Sequence, residues 1–309
     1  MKIVFLDAAT LGDTSLTPIA ALGELVTYPV CSPEEALERV VEAEVLIINK
    51  LKVTRELIAA APKLRLICEA ATGINNIDVP AAAERGIPVK NVAGYSTDSV
   101  AQLTWAHILS LTGQTPYFDG RVKDGTYSAS GIFTDLTLNW NELAGKTLGV
   151  IGMGAIGSKV AKIGEAFGMR VVYYSTSGTS HCSEYVSLPL DEFLAASDVV
   201  TIHAPLSDRT KGLIGANELR MMKKSAVLVN AGRGGIVSES ALAEAVDGGV
   251  IAGAALDVFD REPLPADSPL LSVRHPERFR FTPHTAWASV EARQRLVTAI
   301  AENIKSAAL

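Results

Sequence analysis

The sequence predicts an α/β protein of two domains, each a parallel sheet covered by helices. Three observations carry this. Short β-branched runs alternate with amphipathic stretches, the pattern of strand–helix–strand units. A glycine-rich turn at 152–157 stands between a β-type run and a helical one. The chain has 309 residues, 48% of them hydrophobic, enough to bury more than one core.

The first block opens on an apolar run, a strand at 2–6 ended by Asp7. Further strands are expected at 26–30, 45–49, 64–69 and 89–92, where Val, Ile and Leu cluster. Helical spacing lies between them at 33–43 and at 79–85, the latter closed by Gly86 as a C-cap. A polar, weakly periodic stretch at 113–138 separates this block from the second and reads as irregular. The second block has strands at 147–151, 170–174, 199–203, 226–230 and 251–256, and a last one near 280–282. Helices are expected at 156–167, 190–195, 217–222 and 238–246, with longer ones at 98–111 and 288–307 at the block edges. No internal repeat or low-complexity segment is evident.

Composition removes several functions. A net charge of −6 gives no overall attraction to nucleic acid or an anionic membrane. Cys31, Cys68 and Cys182 are scattered, odd in number and without a C-x-x-C pair, which reads as reduced thiols in a cytoplasm and as neither a disulfide framework nor a metal site. The apolar start, Met1 to Leu6, is too short for a secretory signal, and no run approaches the about 20 residues of a membrane helix. A cytoplasmic protein is expected.

The turn reads Gly152-Met-Gly154-Ala-Ile-Gly157 after the strand at 147–151. In this context Gly152 permits the tight turn, Gly154 lets backbone approach a pyrophosphate, and Gly157 lets helix and strand pack closely. The helix N-terminus adds unpaired N–H groups and partial positive charge for phosphates. About 20 residues on, an NAD-selective site places an Asp or Glu on the ribose 2′-hydroxyl. Here Ser175, Thr176, Ser177 and Gly178 follow the strand instead. No carboxylate repels a 2′-phosphate and no arginine between 175 and 180 captures one, so NAD(H) and NADP(H) are both accommodated, with a preference expected below about a hundredfold.

Three later residues suit redox chemistry on a keto acid. Arg233, in Gly-Arg-Gly after the strand at 226–230, has a planar fork for a carboxylate and an adjacent keto oxygen. His284 is a proton donor matched to neutral pH, and Glu262 can orient its ring and stabilise its protonated form. Asp257 ends the strand at 251–256, where a carboxylate either contacts a ligand or caps a turn. His107 falls in an apolar helical pattern, and His181 and His275 in polar loops; all three are expected to be structural or solvated.

Together these segments resemble the D-isomer-specific 2-hydroxyacid dehydrogenases over essentially the whole chain, most of all the glycerate dehydrogenase (hydroxypyruvate reductase) branch. Ala71-Thr-Gly73-Ile-Asn-Asn-Ile-Asp78 matches the family's substrate loop, and Asn91 to Ala101 its hinge segment, with Gln102 where a Glu is usual. His203-Ala204-Pro205 and Thr210 match the wall at the cofactor's adenosine side, and Thr282 to Trp287 the histidine segment in its glycerate-like form. The resemblance implies a flavodoxin-like substrate domain, 1–98 with 288–309, and an inserted Rossmann domain, 99–287, with a dimerisation arm about 113–140. It assigns catalysis to Arg233, Glu262 and His284. The NAD(H) or NADP(H) cofactor goes to Gly152, Gly154, Ala155, Ile156, Gly157, Ser175, Thr176, His203, Ala204, Pro205, Thr210, Ala231, Asp257 and Val100, with Asp257 facing the nicotinamide carboxamide. A small 2-keto acid goes to Leu51, Ala71, Thr72, Gly73, Tyr95, Arg233, His284 and Trp287, with Trp140 reaching from the partner of a homodimer. Lys52, Val53 and Ser96 are further pocket positions. Hydroxypyruvate/D-glycerate is the expected pair, since polar and aromatic walls suit a small hydroxylated side chain. The alternatives are a glyoxylate, lactate or phosphonate-type dehydrogenase on the same scaffold, or an NAD(H)-sensing corepressor. A long-type phosphoglycerate dehydrogenase would carry a regulatory domain beyond Leu309, and a corepressor would carry long disordered tails.

Overall fold

The computed structural model describes residues 1–307; positions 308–309, the end of the expected substrate domain, lie outside the described residues. The chain divides into two compact units, Met1–Ser96 with Ala288–Leu309, and Thr97–Trp287. The expected border after 98 falls inside a helix that begins at Thr97.

The first unit is a five-stranded parallel sheet of β1 (Lys2–Phe5), β2 (Glu24–Thr27), β3 (Val45–Ile48), β4 (Leu66–Glu69) and β5 (Val89–Lys90), in the order β2-β1-β3-β4-β5. That is the flavodoxin order, with its switch point between β1 and β3. β3 and β4 are buried throughout, as strands covered on both faces must be. The helices are α1 (Thr17–Ala20), α2 (Pro33–Arg39), α3 (Arg55–Ala59) and α4 (Val79–Glu84). A capping box of Ser32 and Glu35 starts α2, and the Asp78 side chain caps α4. The unit's last helix, Val290–Ser306, starts at the Ser289 cap and buries Ala292, Leu296, Val297, Ile300 and Ala301 along one stripe.

Two expectations move here. The strand placed at 26–30 runs from Glu24 to Thr27, because Pro29 has no N–H for the ladder and Val30 is exposed. The helix placed at 33–43 ends at Arg39. The short helices α1 and α3 were not expected; each buries only one or two side chains, too few to set a period.

The second unit begins with α5 (Thr97–Thr112), α6 (Thr115–Lys123) and α7 (Thr126–Ser130). The stretch expected to be irregular therefore contains two helices. Neither buries a residue in this chain, so neither carries an apolar stripe facing its own core. There follow β6 (Thr147–Ile151), α8 (Ala155–Ala166), β7 (Arg170–Tyr174), β8 (Val186–Ser187), α9 (Leu190–Ala196), β9 (Val199–Ile202), α10 (Ala216–Met221), β10 (Val227–Asn230), α11 (Glu239–Asp247), β11 (Gly253–Leu256) and β12 (Phe279–Phe281). All seven strands are parallel, in the order β12-β11-β10-β9-β6-β7-β8. Chain direction across the sheet reverses between β6 and β9, the switch point of a doubly wound fold. Helix α8 buries Gly157, Val160, Ala161 and Gly164, spaced three and four apart.

Cys31 and Cys68 are buried and Cys182 half-buried, all as free thiols; burial pushes the Cys68 thiol up to about 12. No helix among the described residues is long and apolar enough to cross a membrane.

Candidate active site

Because every strand of the second sheet runs the same way, their carboxyl ends form one edge. Gly152 follows β6, Ser175 follows β7, His203 follows β9, Ala231 to Arg233 follow β10, Asp257 follows β11 and Thr282 to His284 follow β12. Residues more than a hundred positions apart are thus assembled by topology alone.

At the switch point the backbone is open on one side and crowded on the other. Gly152 has φ +90°, and a Cβ there would lie 2.8 Å from Ala204 N. A Cβ on Gly157 would lie 2.2 Å from Gly152 O, so only glycine lets α8 sit this close to β6. Around Gly154, by contrast, a Cβ would meet nothing within 4 Å. Gly154 is the N-cap of α8 and offers no side-chain acceptor to its first N–H groups. Next to this cradle, the two ring nitrogens of His203 are buried without a hydrogen-bond partner among the described residues, and burial drops the imidazole to about 3, so it is neutral. Free amides at a 12-residue helix terminus, open space at Gly154 and orphan polar atoms beside it fit the pyrophosphate of a dinucleotide. Thr210 is fully buried and ties its own loop, donating to Pro205 O at 2.7 Å and accepting from Ser207 N at 2.8 Å.

The Arg233 turn is stitched by Asn230. Its Oδ1 accepts from Gly232 N at 3.0 Å and its Nδ2 donates to Arg233 O at 2.9 Å. The flanking glycines are needed for space: a Cβ on Gly234 would lie 1.9 Å from Phe259 O. Arg233 is half-buried and forms no ion pair among the described residues; Nη1 folds back to Gly232 O at 2.8 Å. A half-buried guanidinium without a carboxylate suits an anionic ligand.

His284 Nδ1 lies 2.6 Å from Glu262 Oε2, with both side chains mostly covered. Glu262 Oε1 accepts from Phe259 N at 3.1 Å, which fixes the carboxylate. An Nδ1–H directed at the carboxylate leaves Nε2 as the nitrogen that exchanges a proton. The backbone at His284 has φ +55°, a left-handed conformation uncommon outside glycine. It is held by His284 N donating to Asp257 O at 2.8 Å and to Thr282 O at 2.9 Å.

Asp257 does more than its place at a strand end suggested. Buried almost completely, its Oδ1 accepts from Thr282 Oγ1 at 2.6 Å and Thr285 N at 2.9 Å, and its Oδ2 from Ala286 N at 3.0 Å. Its carboxylate therefore anchors the segment that carries His284. With its proton given to Asp257, Thr282 Oγ1 accepts from His107 Nε2 at 3.0 Å; burial lowers the His107 pKa and keeps that ring neutral. This chain from α5 to the histidine segment was not legible beforehand, and the only signal was an unexplained histidine in an apolar helix.

Val100, Ala231 and Ala286 form one small buried cluster, with Ile156 and Trp287 packed on it. Trp140 is not drawn into this cluster: it lies exposed beside Leu109, Thr112 and Phe167, at the other end of α5 from Val100.

In the first unit, the loops that follow β1, β3 and β4 are tied together at the carboxyl edge of the sheet. Asp7 accepts from Asn49 N at 2.9 Å, Lys50 N at 2.6 Å and Leu51 N at 3.0 Å. Asn76 Nδ2 donates to Leu51 O at 3.1 Å and Glu69 Oε2 at 3.0 Å, and Val53 N bonds Asn76 O at 2.8 Å. Leu51 is thus pinned to the loop that carries Ala71, Thr72 and Gly73. Thr72 Oγ1 donates to Val92 O at 3.0 Å, while Arg295 Nε donates to the carbonyl of buried Tyr95 at 2.9 Å. Sequence reading missed Asp7, Asn49, Glu69 and Asn76, although Asn76 stands inside the motif.

Glu69 has no exposure, and burial, reinforced by the Asp7 charge, raises its pKa from 4.5 to about 9 against the opposing pull of Asn76 and Lys50. The folded form holds a proton that the unfolded chain releases above 4.5, so stability from this group is lost as pH climbs toward 9. Glu69→Gln keeps an acceptor for Asn76 Nδ2 without the titration. Its melting temperature relative to the parent is expected to rise steadily between pH 5 and 9, as thermal unfolding at several pH values would show.

Residues 105–286 match the D-isomer specific 2-hydroxyacid dehydrogenase, NAD binding domain. A glycerate dehydrogenase of Methylorubrum extorquens is 36% identical over 99% of this chain and 95% of its own. A glyoxylate reductase of Aeropyrum pernix is 42% identical over 81% of this chain and 75% of its own. Among solved structures, a D-lactate dehydrogenase of Aquifex aeolicus complexed with NAD and lactic acid is similar with a TM-score of 0.85 at 29% identity, covering 98% of this chain and 94% of that one. With a doubly wound dinucleotide fold, a glycine cradle at its switch point and likeness across nearly the full length, the chain belongs to the D-isomer specific 2-hydroxyacid dehydrogenases and is an oxidoreductase that uses a nicotinamide dinucleotide.

Proposed function

We propose that this protein reduces hydroxypyruvate to D-glycerate and catalyses the reverse oxidation, with Arg233, Glu262 and His284 as its catalytic residues. The observation that carries the reading is the 2.6 Å pair of His284 and Glu262, on the same sheet edge as an arginine with no carboxylate partner among the described residues. The bound dinucleotide supplies or accepts the hydride. Arg233 takes the substrate carboxylate and draws electron density toward the keto oxygen. His284 Nε2 gives its proton to the oxygen as negative charge develops there, and Glu262 holds the ring by Nδ1 and balances the imidazolium charge before the proton leaves. In oxidation the same Nε2 takes the hydroxyl proton.

The cofactor is assigned to Gly152, Gly154, Ala155, Ile156, Gly157, Ser175, Thr176, His203, Ala204, Pro205, Thr210, Ala231 and Val100, while Asp257 acts through the histidine segment that it anchors. Substrate recognition is assigned to Leu51, Ala71, Thr72, Gly73, Tyr95 and Trp287 with Arg233 and His284. A steady-state panel of hydroxypyruvate, glyoxylate and pyruvate, with chiral analysis of the product, tests this. Highest kcat/KM on hydroxypyruvate and a D product are expected; a better turnover of glyoxylate or pyruvate would displace the substrate assignment. Cofactor binding with no turnover on any of them would displace the enzyme reading in favour of a dinucleotide sensor.

The working form is a homodimer in the cytosol, without a nucleic-acid or membrane partner. Ile132, Phe133, Leu136 and Trp140 are strongly exposed on the segment after α7, apolar side chains of the kind that a second copy covers. Phe133→Asp with Leu136→Asp is expected to yield monomers of unchanged melting behaviour in light scattering, and a persistent dimer would refute this surface as the contact.

A further inference from the structure

The loop after β7 runs Ser175-Thr-Ser-Gly-Thr-Ser-His181, and the first carboxylate after the strand is Glu184. Its hydroxyls are gathered on one point. Ser175 Oγ donates to Thr179 O at 2.5 Å, Ser177 Oγ lies 3.0 Å from the same carbonyl, the two serine oxygens are 3.1 Å apart, and Thr179 Oγ1 is 2.8 Å from His181 Nε2. Across this loop lies Arg209, from the segment after β9. Its Nη1 donates to Ser177 O, a bond spanning 32 positions of sequence. A methyl added at Gly178, where φ is +82°, would lie 2.7 Å from that nitrogen. Arg209 is exposed and makes no ion pair among the described residues, not even with its neighbour Asp208.

β7 is paired to β6, whose end bears the Gly152–Gly157 cradle. In such a unit the end of the second strand faces the adenosine ribose, and the group waiting there decides between a 2′-hydroxyl and a 2′-phosphate. A carboxylate would accept from the hydroxyl and repel the phosphate. This chain has the reverse: no acid, several hydroxyl donors, and a guanidinium whose acceptor is a neutral carbonyl. A phosphate monoester carries about −1.5 to −2 charge, and hydrogen bonds to an ionised acceptor are about twice as strong as neutral ones. Exchange of Ser177 O for a phosphate oxygen is therefore downhill for Arg209.

We propose that Arg209, with the hydroxyls of Ser175, Ser177 and Thr179, forms a subsite for the 2′-phosphate of NADP(H), which makes NADPH the preferred reductant. This rests on the dinucleotide reading of the β6 edge, and it replaces the expectation of weak discrimination drawn from residues 175–180 alone. The sequence could not show it, because the arginine comes from a different loop.

The test compares the intact protein with Arg209→Ala and Arg209→Lys. Two readouts are taken: kcat/KM for NADPH and NADH on one 2-keto acid, and Kd for NADP⁺ and NAD⁺ by calorimetry. The parent is expected to favour NADPH by roughly 100-fold or more, as two hydrogen bonds to a charged group imply. Arg209→Ala should bring that ratio below about tenfold by weakening the phosphorylated cofactor alone, and Arg209→Lys should recover part of it as a point charge. Equal affinity of the parent for both cofactors, or equal loss of both in Arg209→Ala, would overturn the subsite while leaving the dinucleotide reading standing. Binding of neither cofactor would overturn the two together.

Discussion

His284→Ala is expected to lower kcat for hydroxypyruvate reduction by roughly 10²- to 10⁴-fold, the usual contribution of a positioned proton donor. The ring is the group on the sheet edge placed to give a proton to the oxygen on which negative charge develops. Alanine removes the donor and leaves the rest intact. The Asp257 carboxylate still holds Thr282, Thr285 and Ala286, and the Gly152–Gly157 cradle belongs to a different strand. Dinucleotide affinity and melting temperature should therefore stay near the parent's. Steady-state kinetics beside a calorimetric titration separate the two. A His284→Ala variant that retains a tenth or more of the parent kcat would remove the histidine from the mechanism.

Arg233→Ala has the second large effect, and it falls on both kinetic constants. Loss of the carboxylate contact raises KM. Loss of the group that polarises the keto oxygen lowers kcat, by roughly 10²- to 10³-fold on the scale of a removed oxyanion donor. Arg233→Lys is a sharper form of the same test. Lysine restores one charge but not the two parallel N–H donors of the fork, so it should recover KM better than kcat. Equal recovery of both would mean that charge alone matters and that the bidentate geometry has no role.

How much of this was legible in the residues follows from what each element buries. β3, β4, β6, β9 and β10 are covered on both faces, and their mostly apolar runs announced them to within a residue or two. Edge strand β2 is half-exposed, so its place was marked only to within a few residues, and α6 and α7 bury nothing, so no periodicity marked theirs. The candidate site divides the same way. Gly152, Arg233 and His284 stand in local patterns that motif reading can find. The contacts that position them are long-range: Asp257 reaches 29 positions to Ala286, His107 reaches 175 to Thr282, and Asp7 reaches 44 to Leu51. Parallel strands bring such pairs together, and nothing in the local sequence records the partner. Arg209 is the same lesson at the cofactor: the loop after β7 looked neutral because its cation arrives from the loop after β9.

In the proposed mechanism His284 and Glu262 act as one proton-transfer unit on a substrate held by Arg233. A double-mutant cycle on kcat/KM for hydroxypyruvate tests it, with the parent, Glu262→Gln, His284→Ala and the double variant assayed together. Residues that act through one another are strongly non-additive. Glu262→Gln should therefore cost the parent at least about tenfold and cost the His284→Ala background almost nothing. Equal losses from Glu262→Gln in both backgrounds would rule out this unit, for the carboxylate would then be working on something other than the histidine it touches.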